Sequence, residues 1–159
     1  MNRQTEQRAT FLPISIQISG RNIVIVGGGR VGFHKATILR RFTDRVTVIS
    51  PEFHEGFKDL PFECVEKEYE ASDLAAAFLV YICTENETRN AQIKRDAERQ
   101  GVLASVCDNP ALCDFISPAI FKHENITIAV SSNGQNVRQS IELRDRIAQL
   151  VENEEIWLH

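Results

Sequence analysis

Apolar positions along the chain come in short runs separated by polar or glycine-containing breaks. Leu12, Ile14, Ile16 and Ile18 alternate with Pro13, Ser15, Gln17 and Ser19, the period of a half-buried strand, and Gly20 ends the run. Residues 22–26 (NIVIV) are a β-branched stretch suited to the centre of a parallel sheet buried on both faces. A helix is predicted over residues 30–42, with Val31, Ile38, Leu39 and Phe42 on one stripe. Residues 46–49 (VTVI) make a second strand stopped by Ser50 and Pro51, and residues 62–65 a weaker third. A short helix between Ser72, as N-cap, and Ala77 leads to an apolar strand over residues 78–83. The polar run 85–100 predicts a solvent-facing helix capped by Gly101, and residues 102–106 close a fifth strand. Parallel strands need long crossovers, so this alternation predicts an α/β fold: a Rossmann-type, doubly wound parallel sheet.

The pattern changes after Asp108. Asn109 and Pro110 break it, and residues 115–121 and 126–130 form two strands joined through His123, Glu124 and Asn125. A final helix over residues 136–151 sets Val137, Ile141, Ile147, Leu150 and Val151 on one broad side. The expected organisation is a dinucleotide-binding domain over 11–113 followed by a β-hairpin and helix over 114–159. Two strands and one helix cannot shield their own apolar faces, so this segment is expected to serve dimerisation and the chain to be a homodimer.

Composition narrows the function. The 159 residues are 43% hydrophobic and 25% charged, enough for one main core. No stretch reaches the roughly 18 apolar residues of a membrane helix, and the start MNRQTEQRAT lacks the apolar centre of a signal peptide; a cytoplasmic protein with no membrane partner is expected. The four cysteines, Cys64, Cys83, Cys107 and Cys113, form no CxxC pair and stand at no ligand-like spacing to the histidines. They read as buried thiols, and no metal ligand is assigned. A net charge of −4 argues against broad nucleic-acid binding. An anionic ligand must therefore find a local patch, such as Arg30, His34, Lys35, Arg40 and Arg41, or Arg138, Arg144 and Arg146.

Gly27, Gly29 and Gly32 spell GxGxxG between a strand and a helix. In that setting the first glycine permits the tight turn, the second lets the backbone approach a pyrophosphate, and the third lets helix and strand pack closely. A turn kept only for packing is the alternative. The acidic residue that usually follows some 20 positions on, to hold the ribose hydroxyls, is replaced by Ile49, Ser50 and Pro51. Ser50, Glu52 or backbone groups are left to bind the ribose, unless Ser50 and Pro51 simply end the strand. No Arg or Lys stands there to meet a 2′-phosphate, so NAD is favoured over NADP.

Four segments carry a more specific likeness: residues 27–36 (GGGRVGFHKA), 105–115 (SVCDNPALCDF), 116–120 (ISPAI) and 128–134 (IAVSSNG). In that order they resemble the precorrin-2 dehydrogenase/sirohydrochlorin ferrochelatase family, over about residues 11–150. The resemblance implies NAD-dependent oxidation of precorrin-2 to sirohydrochlorin on the way to siroheme. It also implies that Arg30, Val31, Pro51, Glu52 and Thr84 lie along NAD with the glycines, that Asp108 is the essential aspartate, and that Ser132 lines the tetrapyrrole site. Gly32 and His34 replace the family's usual small residue and Arg before Lys35, Ser105 stands where Asn is common, and Gln135, Asn136 and Val137 replace a Ser-Pro type continuation. The family's C-terminal helical domain is expected to be missing.

These residue types suit the chemistry. Hydride removal from a reduced tetrapyrrole needs a group for the accompanying proton, and Asp108 follows a central strand at the end where such sheets bind ligands; a turn-capping role is its alternative. Asp114, in a Cys-Asp-Phe run, reads as a packing or capping residue. Ser131, Ser132, Asn133 and Gly134 end a strand and enter a helix, offering amide donors to a substrate carboxylate or merely capping that helix; Ser132, Asn133 and Gly134 are the candidate substrate contacts. The expected partner is an acidic tetrapyrrole. Two other readings stay open: a bifunctional enzyme that also inserts ferrous iron, as substrate, into the product, and a non-catalytic NAD(H)-sensing domain.

Overall fold

The computed structural model describes residues 9–107 and 109–156. They form two compact units: Ser15–Phe115, and the remaining described residues, 9–14 and 116–156.

The first unit is built on a five-stranded, all-parallel sheet in the order β3-β2-β1-β4-β5. Its strands are β1 (Asn22–Gly28), β2 (Val46–Phe53), β3 (Glu63–Glu66), β4 (Ala77–Ile82) and β5 (Leu103–Val106). Helix α1 (Arg30–Leu39) joins β1 to β2 and α2 (Glu87–Gln100) joins β4 to β5, while short 3₁₀ turns link β2 to β3 and β3 to β4. The chain winds outward from β1 through β2 to β3, then returns to lay β4 on the other side of β1. Alternation along β1 feeds two cores. Ile23 and Ile25 pack with Ala36 and Leu39 of α1 on one face, and Val24 and Val26 pack with Ile93 and Ala97 of α2 on the other. Burying each of these Ile, Val and Leu side chains stabilises the fold by about 1.5–3 kcal/mol.

Several elements differ from the expected ones. Residues 12–18 form no strand; Leu12 and Ile14 are 81% and 67% exposed. Alternation supplies a face but not a ladder partner, and Pro13 lacks a donor. Helix α1 stops at Leu39, where Arg41 and Phe42 turn back in bonds to Ile38 and Leu39. The expected helix capped by Ser72 is a 3₁₀ turn over Ala71–Leu74, capped instead by Glu70 and Asp73 in a reciprocal box. Helix α2 is not simply solvent-facing: Asn90, Ile93, Lys94, Asp96 and Ala97 are buried, the i, i+3, i+4, i+7 stripe of a helix lying on a sheet. Gly101 caps it with φ +69° as expected.

Strand β2 does not stop at Ser50 and Pro51 but continues to Phe53. Val26 pairs with Ile49 and Gly28 with Phe53, so Ser50, Pro51 and Glu52 together oppose Gly27 alone. The bulge carries Pro51 where its missing N–H breaks no ladder bond.

In the second unit β6 (Ala119–His123) and β7 (Ile126–Val130) form an antiparallel hairpin against which α3 (Val137–Glu152) packs, with Arg144 Nη1 donating to the Ile120 carbonyl at 3.3 Å. The first hairpin strand begins later than residue 115, at Ala119 just past Pro118. Among the described residues no helix is long and apolar enough to cross a membrane.

Candidate functional site

The carboxyl ends of β1, β2 and β4 meet at the point where the strand order reverses, the position at which open α/β sheets bind ligands. Gly27 turns there with φ +111°, and a Cβ on it would stand 2.6 Å from the Cys83 carbonyl oxygen and 3.0 Å from the Thr84 nitrogen. The glycine loop therefore lies directly against Thr84. A Cβ on Gly28 would strike the Glu52 carbonyl oxygen and stand 2.9 Å from the Ser50 Cβ, so the β2 bulge presses on the loop from the other side. Gly32 has no room either: a Cβ would overlap the Gly27 carbonyl oxygen. Gly29 is the opposite case, with nothing within 4 Å of its missing Cβ.

That contrast tests the loop as a phosphate cradle. Gly27, Gly28 and Gly32 are filled by protein, whereas the space over Gly29 is open to an incoming group. Gly29 is also the N-cap of α1 and provides no side-chain cap, and the first turn of α1 holds no acidic residue. The first-turn amides and the positive end of the helix dipole thus face that space. The residues fit a dinucleotide pyrophosphate.

The remaining cofactor candidates gather around this loop. Ser50 is 8% exposed, while Pro51 and Glu52 are exposed beside it. Arg30 and Val31 sit exposed in the first turn of α1. Phe33 stacks on His54 with ring centroids 4.5 Å apart, pinning that turn to the end of β2. Thr84 is fixed by Asn90 of α2, whose Nδ2 donates to the Thr84 carbonyl at 2.9 Å and whose Oδ1 accepts the Thr84 hydroxyl at 2.5 Å. Sequence reasoning missed Asn90; the apolar pair Ile93 and Ala97, three and seven positions on, was the signal that it faces the sheet.

Asp108 lies outside the described residues. Its neighbours do not: the Cys107 amide donates to the Ile82 carbonyl at 2.9 Å and the Asn109 amide to the Val106 carbonyl at 3.1 Å. Asp114 has the structural role expected of it. Its carboxylate takes the Lys94 ammonium at 2.7 Å on both oxygens and the Ala104 amide at 2.9 Å. Burial pulls the Lys94 ammonium down, but Asp114 and Glu98 outweigh it and leave its pKa above the ordinary value. Burial pushes the Cys113 thiol up, as befits a packing thiol.

The substrate candidates belong to the second unit. Ser132 Oγ accepts the Asn136 amide at 2.9 Å, Asn133 takes φ +54° with its Oδ1 accepting the Phe11 amide at 3.3 Å, and Gly134 takes φ +73°. Asn136 caps α3 by accepting the Gln139 amide at 3.0 Å. Among the described residues no group of three or more His, Cys, Asp or Glu is placed to hold a metal ion.

A parallel sheet with a glycine cradle at its switch point, open over Gly29, defines a dinucleotide-binding domain. Comparison with known proteins agrees. Residues 14–119 match the family described as "Putative NAD(P)-binding", and the chain belongs to that family. It is 37% identical over 127 residues to a siroheme synthase of Ectopseudomonas mendocina, covering 78% of this chain and 27% of that protein. A siroheme synthase of Nitrosococcus oceani is 32% identical over 145 residues, covering 89% of this chain and 31% of the relative. The chain thus spans under a third of the length of these relatives. Among solved structures, one titled SirC, precorrin-2 dehydrogenase, superposes with a TM-score of 0.76 at 15% identity, over 87% of this chain and 70% of that one; it shares the fold.

Proposed function

We propose that the chain is an NAD-dependent dehydrogenase that oxidises precorrin-2 to sirohydrochlorin in siroheme biosynthesis, acting in the cytoplasm as a homodimer. The observation that carries this reading is the open cradle at Gly29, walled by Thr84 and by the Ser50–Glu52 bulge, in a chain whose sequence matches siroheme synthases.

The oxidation removes a hydride and a proton from the reduced macrocycle. NAD, when bound, supplies the hydride acceptor. The glycine loop and the α1 amides would hold its pyrophosphate, and Ser50 and Glu52 are assigned to the adenosine ribose. Asp108, which follows β5 in the sequence, is assigned the proton, a contribution of about a hundred- to ten-thousandfold in rate. Ser132, Asn133 and Gly134 are assigned to a substrate carboxylate through the turn that opens α3.

The test is to supply precorrin-2 and NAD and follow the absorption of sirohydrochlorin together with NADH. Turnover supports the enzyme. Tight NAD binding without turnover would overturn it in favour of a nucleotide-sensing domain, which needs the glycine loop but no carboxylate.

A further inference from the structure

β5, the strand before Asp108 expected to be central, is instead an edge strand of the sheet, and the segment leaving it folds straight back onto its open side. The Asp114 amide donates to the Ala104 carbonyl at 2.8 Å and the Asp114 carboxylate accepts the Ala104 amide at 2.9 Å, so one residue satisfies both backbone groups of Ala104. Cys113 does the same for Val106, its Sγ lying 3.2 Å from both the nitrogen and the oxygen. Between these anchors the backbone makes a 3₁₀ turn over Pro110–Leu112, capped by Asn109, whose Oδ1 accepts the Ala111 amide at 3.2 Å.

The outer anchor is locked from a separate element. Lys94 of α2, 8% exposed at its side chain, places its ammonium 2.7 Å from both Asp114 oxygens, with Glu98 at 3.3 Å. Lys94 is buried but Asp114 is 36% exposed at its side chain, and such a half-buried pair gains little net stability, because desolvation of the ammonium and solvent screening of the carboxylate offset its attraction; what it does impose is one geometry. Lys94 also lies one helical turn beyond Asn90, which grips Thr84. A single rigid helix therefore sets both the loop after β4, beside the cofactor cradle, and the segment after β5.

Resting on the reading that gives Asp108 the proton, we propose that Lys94 and Asp114 are positioning residues for the oxidation. Their ion pair fixes the return segment that ties down the residues following Asp108, in register with the loop that carries Thr84. Neither side chain is assigned a contact with substrate or cofactor. Small displacements of a reacting group cost up to about a hundredfold in rate, so the pair should matter to kcat more than to binding.

The test is a kinetic cycle on the full chain with precorrin-2 and NAD. Lys94→Met is expected to lower kcat by about tenfold or more, with NAD affinity by calorimetry unchanged within about twofold. Lys94→Arg, which keeps the charge, is expected to restore most of the loss. Asp114→Asn, which keeps an acceptor for Ala104, gives a second route should the Met variant not fold. In an Asp108→Asn background the residual turnover is expected to be indifferent to Lys94→Met, because the effect passes through Asp108. Full kcat in both Lys94→Met and Asp114→Asn overturns the proposal while leaving the role of Asp108 intact. An undiminished further loss in the double variant overturns it as well, by showing that the pair acts elsewhere. Undiminished turnover in Asp108→Asn alone overturns the reading beneath it.

Discussion

Asn90 holds Thr84 by both its backbone and its side chain, donating to the carbonyl at 2.9 Å and accepting from the hydroxyl at 2.5 Å. Thr84 in turn lies against Gly27, whose missing Cβ would sit 3.0 Å from the Thr84 nitrogen. Asn90→Leu keeps the volume but removes the Thr84 carbonyl's side-chain donor and leaves the Thr84 hydroxyl only its longer contacts to Asn86, at 3.3 and 3.4 Å. Thr84 is half-buried, so the loss is that of a typical hydrogen bond, about 1 kcal/mol, and urea unfolding should show it. NAD affinity should fall with it, since the wall of the cradle is loosened. An Asn90→Leu protein as stable as the parent would show that the grip contributes nothing.

The glycines give a paired prediction with opposite outcomes. Gly32→Ala forces a Cβ onto the Gly27 carbonyl oxygen, so the α1–β1 approach must open and the melting temperature should drop. Gly29→Ala meets nothing within 4 Å and should lower the melting temperature far less, by no more than the modest cost of Ala at the α1 N-cap. It nevertheless places a methyl group where the pyrophosphate is read to approach, so calorimetry should show NAD binding weakened by about tenfold or more, a difference of about 1.4 kcal/mol. Normal NAD affinity in Gly29→Ala would move the cofactor away from this loop.

What the sequence made legible follows the strength of each local signal. The runs that became β1, β4 and β5 are dense in β-branched and apolar residues, and only a buried parallel sheet accommodates them. The glycine loop was legible because three positions with three distinct steric demands fall at fixed spacing. Strand β2 was read too short because Pro51 looks like a terminator, and only the register of Val26 with Ile49 and Gly28 with Phe53 reveals the bulge that absorbs it. Asn90 and Lys94 were hidden for a different reason: polar side chains on a helix face solvent by default. Their burial depends on partners, Thr84 and Asp114, that are distant from the helix face in any one-dimensional pattern. Residues 12–18 show the converse, a strand period with no strand to pair with.

Cofactor choice is expected to be set at the β2 bulge. Glu52 is exposed there, with its backbone against Gly28, and would repel an added 2′-phosphate. NAD is expected to bind more tightly than NADP, and Glu52→Lys to narrow or reverse the ratio, since a cation nearby accommodates that phosphate. Titration of both cofactors against both proteins checks this, and tighter NADP binding by the parent chain would reject it.

The second unit predicts the association state. Val137, Ile141 and Leu143 of α3 are 62%, 40% and 51% exposed, and Leu12 and Ile14 more so. The hairpin of β6 and β7 has only two strands, and a pair of strands does not cover its own edges and faces. Sedimentation should show a dimer, and Ile141→Glu together with Leu143→Glu should dissociate it. A concentration-independent monomer for the parent chain would exclude the homodimer.

The most discriminating substitution is Asp108→Asn, because two roles predict different series. As proton acceptor or orienting group, Asp108 loses its charge and nearly all basicity in the Asn variant, while size and turn-forming capacity are retained. Precorrin-2 turnover should then fall by about a hundredfold or more, and NAD affinity should stay close to the parent value, since the phosphate contacts are assigned to the Gly29 cradle and the α1 amides. As a turn cap ahead of Asn109 and Pro110, Asp108 is replaceable by Asn, and Asp108→Ala should show the larger defect, in stability by about 1 kcal/mol and not in chemistry. Measuring kcat, NAD affinity and unfolding free energy for Asn and Ala side by side separates the two. A fast Asn variant beside an unstable Ala variant removes Asp108 from the oxidation and leaves the cofactor cradle without a carboxylate to match.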